Sequence, residues 1–120
     1  MVYKIGMLCK HFKGKNLFEK NIYRIEQIGV KGTDIDETKI TYTGEQDLST
    51  ATNLVVYSNI FQDNKIFCRE YEDISQELSE EKKLEFNQTI RVEPLTEEEQ
   101  ELINQQSYIE RKKQYIKTKY

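Results

Sequence analysis

Three side chains in the sequence could serve as a nucleophile, a base or a soft metal ligand: Cys9, His11 and Cys68. A structural zinc site needs four nitrogen or sulfur ligands, and the chain has no fourth cysteine or histidine. A cysteine nucleophile needs an oriented base, and neither cysteine stands in a nucleophile-elbow sequence. Glycine-rich phosphate-binding loops are also absent from the sequence. We therefore expect no enzyme active site, no metal and no cofactor, and a small cysteine–histidine enzyme remains an alternative.

Arg69 is the charged residue whose position suggests ligand binding. In an extended strand it shares a face with Phe67 and Tyr71, because side chains alternate with a period of two. A guanidinium on a packed face requires a counter-ion. That counter-ion is either an internal carboxylate or a carboxylate or phosphate of a ligand. The sequence leaves both possibilities open.

The basic segment 11–15 is a second candidate anion contact, unless it only ends a strand in a turn. Aromatic side chains beside arginine have the composition of a protein interaction hot spot. We therefore predict a surface groove that recognises acidic groups and is lined by His11, Lys13, Tyr57, Arg69 and Tyr71.

Charge is distributed in three blocks along the chain. Residues 1–24 carry a net charge of +5, residues 25–110 carry −13, and residues 111–120 carry +5, giving −3 in total. The basic ends either mix or pair with the acidic middle, or they bind nucleic acid. A variation is an acidic protein that occupies the nucleic-acid site of another protein, as phage-encoded inhibitors do.

The cellular compartment is predicted from apolar runs and cysteines. No run approaches the roughly 18 to 20 apolar residues of a membrane helix. Lys10, His11 and Lys13 interrupt any secretory hydrophobic segment at the start. Two distant cysteines do not resemble a secreted disulfide scaffold. We expect a cytoplasmic protein with reduced thiols and no membrane partner, and the oligomeric state stays open.

The first part of the chain has the patterns of short strands. Tyr23–Glu26 and Lys39–Thr43 alternate between apolar and polar residues, as half-buried strands do. Leu54–Tyr57 is apolar on both faces, which is typical of a strand that is covered on each side. Asp63–Asn64 lies between this strand and Ile66–Arg69 and predicts a hairpin turn.

The remainder predicts helices and one strand. A helix is expected over Ser75–Phe86, with an apolar stripe of Leu78, Leu84 and Phe86. Residues 89–93 alternate again and stop at Pro94, which cannot continue a central strand.

A capping box at Thr96 and Glu99 predicts a helix from residue 97 towards the C-terminus. Its acidic residues lie in the first turn and its basic residues in the last, as the helix dipole favours. The first half is expected to pack on the domain and the second half to project or fray. The predicted stripe consists of Leu102, Ile109 and Ile116, and it is flanked by Tyr108 and Tyr115.

Four segments, His11–Gly14, Ile22–Tyr23, Val55–Tyr57 and Phe67–Arg69, resemble a family of short bacterial and phage proteins known as domain of unknown function 1653. The resemblance covers about residues 6–74. The chain departs from the family pattern by an insertion around 16–19, by Phe-Cys where the family usually has Trp-Val, and by its charged helical tail. The resemblance implies a small, strongly bent sheet or SH3-like barrel and no established activity.

Together these patterns predict a mainly-β α+β fold. It is either a small SH3-like barrel or a rolled antiparallel sheet of about five strands from residues 1–74 and 88–93. A barrel-like domain would span 1–95 with a helix near 75–86, and a charged C-terminal helix would span 96–120. A small barrel has no internal room for substrate, so function is expected at the surface. We expect a non-enzymatic binding or adaptor module for a protein or peptide, with nucleic-acid binding or phage-type inhibition as the alternative.

Overall fold

The computed structural model describes residues 2–41, 43, 47–63 and 65–119. Its five strands are β1 (Leu8–His11), β2 (Ile22–Val30), β3 (Leu54–Asn59), β4 (Ile66–Glu70) and β5 (Val92–Pro94). They form one sheet in the order β4-β3-β2-β1-β5, and every neighbouring pair is antiparallel. The predicted mainly-β α+β fold with about five antiparallel strands is therefore confirmed, and the sheet is open rather than closed into a barrel.

Both edges of the open sheet have short pairings with other segments. The Thr41 amide donates to the Ile66 carbonyl of β4 at 2.7 Å, and the Thr41 hydroxyl accepts from the Ile66 amide at 3.1 Å. Ahead of β5, the Arg91 amide donates to the Gln76 carbonyl at 3.0 Å. Short pairings of this kind cover edges that would otherwise recruit another strand.

Strand prediction from alternation succeeded in part. Tyr23–Glu26 lies in β2, Leu54–Tyr57 begins the interior strand β3, and β3 and β4 form the predicted hairpin. Asn64 of its turn lies outside the described residues. The strand predicted over Lys39–Thr43 is wrong for the residues that are described, since a turn ends at Lys39, and Tyr42 also lies outside them.

One side of the sheet is rich in aromatic rings, and we call it the aromatic face. Its buried core consists of Tyr3, Cys9, Tyr23, Ile25, Val55, Tyr57, Ile74 and Val92. Tyr3 covers one end of this face, and its hydroxyl donates to the Ile74 carbonyl at 2.9 Å or the Val92 carbonyl at 2.6 Å. At the other end of the face, His11 and Phe67 are half-buried.

The opposite side, the aliphatic face, is covered at both ends. Leu48, Leu54, Val56 and Cys68 form one buried cluster, against which the segment 31–40 packs. Ile22, Leu95, Ile103 and Tyr108 form the other. The contacts of this second cluster attach the C-terminal helices to the sheet.

The helices are α1 (Tyr71–Ile74), α2 (Glu80–Phe86), α3 (Glu97–Ile103) and α4 (Gln106–Lys119), with single 3₁₀ turns at Leu17–Glu19 and Gly32–Asp34. The helix predicted over Ser75–Phe86 begins later, at Glu80, where the Ser79 hydroxyl accepts from the Lys82 amide. Its predicted stripe is wrong: Leu78 is buried ahead of the helix, and Leu84 is 88% exposed.

The predicted capping box at Thr96 and Glu99 is confirmed in both directions. The single C-terminal helix is wrong, because α3 ends at Ile103 and α4 begins three residues later. That break turns Ile103 rather than Leu102 into the core, and Leu102 is 39% exposed. The second half does not project, since the Tyr115 ring lies 5.1 Å from the Phe18 ring.

Candidate functional site

The end of the aromatic face opposite Tyr3 carries a group of rings on adjacent strands. Tyr57 of β3 stacks on Phe67 of β4 with 5.4 Å between centroids. Tyr23 of β2 lies 4.9 Å from Tyr57 and 5.3 Å from Phe67, and His11 of β1 lies 6.3 Å from Tyr23. Each of these four strands therefore contributes one ring; Tyr23 and Tyr57 are buried, and His11 and Phe67 are half-buried.

Arg69 lies beside these rings and is only partly paired. Its Nη2 donates to the Asp73 carboxylate at 3.4 Å, a contact from β4 into α1. Its Nε is buried and has no acceptor among the described residues. The side chain keeps 23% of its surface exposed. The internal carboxylate expected as one alternative is therefore present, but it leaves part of the guanidinium unused.

His11 is held as a neutral imidazole. Burial, followed by the positive charges of Arg91, Lys13 and Arg69, lowers its pKa from 6.5 to about 4. Its Nδ1 accepts the Lys13 amide hydrogen at 3.2 Å, so the ring proton resides on Nε2. The turn that follows needs Gly14, whose φ is +121°.

Arg91 is a member of this site that the sequence did not indicate. It lies over the Phe12 ring at 5.5 Å. Burial raises the pKa of Tyr57, and the charges of Arg69 and Arg91 oppose that rise, so both cations act on the Tyr57 hydroxyl. Alternation in residues 89–93 put Arg91 opposite the apolar side chains, which gave no reason to select it.

We call His11, Tyr23, Tyr57, Phe67, Arg69 and Arg91 the basic–aromatic cluster. Of the five residues predicted to line a groove, His11, Tyr57 and Arg69 lie in this cluster. Tyr57 is buried within it. Lys13 is exposed. Tyr71 points elsewhere, with its ring 5.3 Å from Tyr3 and its hydroxyl accepting the Val2 amide at 2.8 Å.

A buried lysine fixes the turn that carries His11. The Lys20 Nζ donates to the carbonyls of Phe12 at 3.1 Å and Phe86 at 2.7 Å, and to Gln88 Oε1 at 2.9 Å. Burial lowers the pKa of Lys20. This clamp ties the turn to the end of α2. Nothing in the sequence marked Lys20, because a lysine in a polar loop ordinarily lies in solvent.

The two cysteines are buried and protonated, which disfavours their action as nucleophiles. Cys9 and Cys68 are buried on opposite faces of the sheet. Burial raises the pKa of Cys9 to about 12 and also raises that of Cys68, so both are thiols at neutral pH. Within the described parts of the chain, no three histidine, cysteine or acidic side chains come together to hold a metal ion.

A separate cleft of about 630 Å³ lies on the aliphatic face, outside the sheet. Val56, Ile60 and Ile66 contribute apolar surface to it. Four acidic and three basic side chains also line it, namely Glu26, Asp34, Asp36, Asp63, Arg24, Lys39 and Lys65. Because charges of both signs line this cleft, it favours no one sign of ligand charge. None of the predicted groove residues lines it.

Comparison with known proteins gives no matching protein family, no matching curated sequence and no matching solved structure. The resemblance to domain of unknown function 1653 therefore remains a prediction. None of the helices in the described residues combines the length and apolar character needed to cross a membrane.

Proposed function

We propose that this chain is a non-enzymatic binding module that recognises an acidic segment of a protein through the basic–aromatic cluster. The observation that carries the proposal is the position of Arg69 beside the Tyr57 and Phe67 rings, with a buried Nε that has no acceptor among the described residues. The charges of Arg69 and Arg91 both act on His11 and Tyr57. Aromatic rings and arginine side chains are the residues that dominate protein interaction energies.

The incomplete pairing of Arg69 supports a carboxylate ligand. A guanidinium can donate to a carboxylate through two parallel hydrogen bonds. Asp73 takes one donor at 3.4 Å, which is long for such a bond, and Nε has no acceptor in the described part of the chain. A ligand carboxylate that displaces Asp73 and uncovers Nε would accept from Nε and Nη2 together.

His11 would add a neutral hydrogen bond. Its Nδ1 is occupied by the Lys13 amide, which leaves the Nε2 proton to donate to a ligand oxygen. The half-buried Phe67 ring offers apolar contact beside it. The ligand therefore combines a carboxylate with a second oxygen acceptor and an apolar group, as an acidic peptide does.

The resemblance to domain of unknown function 1653 supports the same surface. The His11–Gly14 turn and the strands that hold Tyr57 and Arg69 are the segments on which the resemblance rests, and their side chains meet in this cluster. We include membership of that bacterial and phage family and a cytoplasmic location in the proposal.

A peptide titration tests this function. The isotope-labelled full chain is titrated with a hexaglutamate peptide while the Arg69 Nε and His11 ring resonances are followed by NMR. We expect both to shift, and we expect Arg69→Lys to weaken binding by about ten- to a hundredfold, because lysine keeps the charge but cannot form the bidentate pair.

Arg24→Gln is the matched control, since Arg24 is exposed at the cleft on the aliphatic face. It removes a whole positive charge and should leave the affinity unchanged. A folded Arg69→Lys protein that binds hexaglutamate like the wild type would refute the proposal. Failure of the wild type to bind would refute it as well.

A further inference from the structure

Two cations from different parts of the chain meet at the Phe12 ring. The Lys82 Nζ of α2 lies 5.6 Å from the ring centre, and the Arg91 guanidinium carbon lies 5.5 Å from it. The two charged groups are therefore at most about 11 Å apart, which is the two ring distances taken together. The His11 imidazole stacks on the same ring with 4.8 Å between centroids. This buried ring thus connects both cations to the basic–aromatic cluster.

A buried polar network holds the segments that carry these cations. The Lys20 Nζ joins the Phe12 carbonyl to the Phe86 carbonyl at the end of α2. The Phe12 amide donates to the Arg91 carbonyl at 2.9 Å. Gln88 is 4% exposed, accepts from Lys20, and places its Nε2 3.2 Å from the Arg91 carbonyl. The backbone on which the two cations stand is therefore fixed before a ligand binds.

Lys82 lies on the side of α2 that faces Phe12. The Phe86 ring contacts the Phe12 ring with 5.3 Å between centroids and so marks this side. At about 100° per residue, Lys82 lies about 40° from Phe86 around the helix axis. Glu85 lies about 100° and Glu81 about 140° from it. The helix therefore directs Lys82 towards the ring and its two neighbouring acids away from it.

The charges of both cations remain available to a ligand. None of the ion pairs in the described parts of the chain includes Lys82 or Arg91. Glu93, which lies close to Arg91 in sequence, pairs with Lys10 at 3.6 Å instead. After burial, Arg91 is the charge that lowers the pKa of His11 most, and three further cations act in the same direction. This region therefore attracts anions.

We propose that the acidic segment recognised by this chain carries a phosphate monoester, which binds between Lys82 and Arg91. The inference rests on the acidic-peptide function proposed above and adds a phosphate site to the carboxylate site at Arg69. A phosphate monoester carries nearly two negative charges and three terminal oxygens, which match two cations that approach from different segments. A carboxylate carries one charge and two oxygens, which match the single guanidinium of Arg69.

One short peptide can reach both sites. The ring-to-ring steps from Phe12 through His11 and Tyr23 to Phe67 add to about 16 Å. An extended segment of six residues spans about 20 Å. The phosphate and the carboxylate can therefore belong to the same segment of a partner protein.

A phosphorylated protein fits this site better than nucleic acid does. Proteins that bind single-stranded nucleic acid stack the bases on accessible aromatic rings. The Phe12 ring between the two cations is 3% exposed and cannot take up a base. A phosphodiester also carries only one negative charge, so it would leave one of the two cations unmatched.

Two peptides of nearly equal charge test the inference. Hexaglutamate is compared with a peptide in which phosphoserine replaces the third glutamate, a change of roughly one charge. Isothermal titration of the full chain should show about ten- to a hundredfold tighter binding of the phosphopeptide, because charge-assisted hydrogen bonds are the stronger ones.

Lys82→Gln should reduce this advantage of the phosphopeptide by about three- to tenfold. Lys82 is exposed, so the variant keeps the fold. Lys65→Gln is the matched control, because it removes the same charge from an exposed lysine at the cleft on the aliphatic face. It should leave the advantage as in the wild type.

The outcomes separate this inference from the proposed function. Equal binding of the two peptides, or an undiminished advantage in Lys82→Gln, would overturn the phosphate site and leave the acidic-peptide function standing. An equal loss in Lys65→Gln would show an effect of overall charge and would also overturn it. Binding of the phosphopeptide alone would support the phosphate site and refute the function proposed for hexaglutamate, and binding of neither peptide would refute both.

Two competitors identify the source of the phosphate. Inorganic phosphate and a single-stranded oligonucleotide are each added at the phosphate concentration of the bound phosphopeptide. Neither should displace it, because neither combines a phosphate monoester with a peptide carboxylate. Displacement by inorganic phosphate would assign the site to a free anion, displacement by the oligonucleotide would assign it to nucleic acid, and either result would overturn the inference.

Discussion

Replacing Lys112 by methionine tests whether its ammonium group is buried in the folded protein. Lys112 is 2% exposed and touches the carbonyls of Phe18 and Lys20. Burial, followed by the charge of Lys119, lowers its pKa from 10.5 to about 8. At pH 9 the unfolded chain still binds this proton while the folded chain has largely lost it.

The sign and size follow from proton linkage. Because the unfolded state binds more protons between pH 8 and 10.5, raising the pH through this window stabilises the folded state. From pH 7 to pH 9 this one group adds about 1 kcal/mol to the free energy of unfolding. The buried Cys9 thiol acts in the opposite direction, but it is present in both proteins and cancels in the comparison.

Urea unfolding near pH 7 and near pH 9 measures the effect. The change between the two pH values should be about 1 kcal/mol more favourable for the wild type than for Lys112→Met. Lys113→Met is the control, because the Lys113 side chain is exposed. This variant should show the same change between the two pH values as the wild type. Parallel changes in the wild type and Lys112→Met would show that the ammonium is solvated and would refute the docking of α4 described above.

Three further predictions concern other residues. Between pH 7 and pH 5 the wild type should lose about 1 to 2 kcal/mol of its free energy of unfolding, because the folded pKa of His11 is about 4 and the unfolded histidine, with a pKa of 6.5, binds the proton first. His11→Asn should remove this loss, and urea unfolding at both pH values checks it. Asp73→Asn should tighten hexaglutamate binding about two- to fivefold by freeing Arg69, and weaker binding in the titration would contradict the displacement. Leu78→Ala should cost about 2 to 4 kcal/mol and Leu84→Ala less than about 0.5, as judged by urea midpoints, and equal costs would be inconsistent with their burial.

Features that depend on neighbours in sequence could be predicted. The Thr96–Glu99 capping box needs only two residues three apart, and the β3–β4 hairpin needs an apolar strand and a turn. Arg69 could be selected because its strand neighbours fix the face on which it lies. The counter-ion could not be chosen, because Asp73 reaches it only after the chain turns into α1.

Features that depend on tertiary contacts could not be predicted. Lys20 and Lys112 resemble surface lysines until backbone carbonyls from distant segments surround them. The break between α3 and α4 contains no proline or glycine that would predict it. Because of the break, Ile103 is buried in the core in place of the predicted Leu102. Arg91 joins the candidate site because β5 pairs with β1, which is a long-range event.

The pairing of β5 with β1 also has a consequence for synthesis on the ribosome. Cys9 is opposite Pro94, so β1 receives its outer neighbour only after more than three quarters of the chain has been made. Until then the outer backbone N–H and C=O groups of β1 are unpaired and can pair with a strand of another chain. The apolar surface around Ile22 is covered later still, when Tyr108 has been made. We expect the nascent chain to depend on chaperones most during this interval, and to lose that dependence once the last helix emerges.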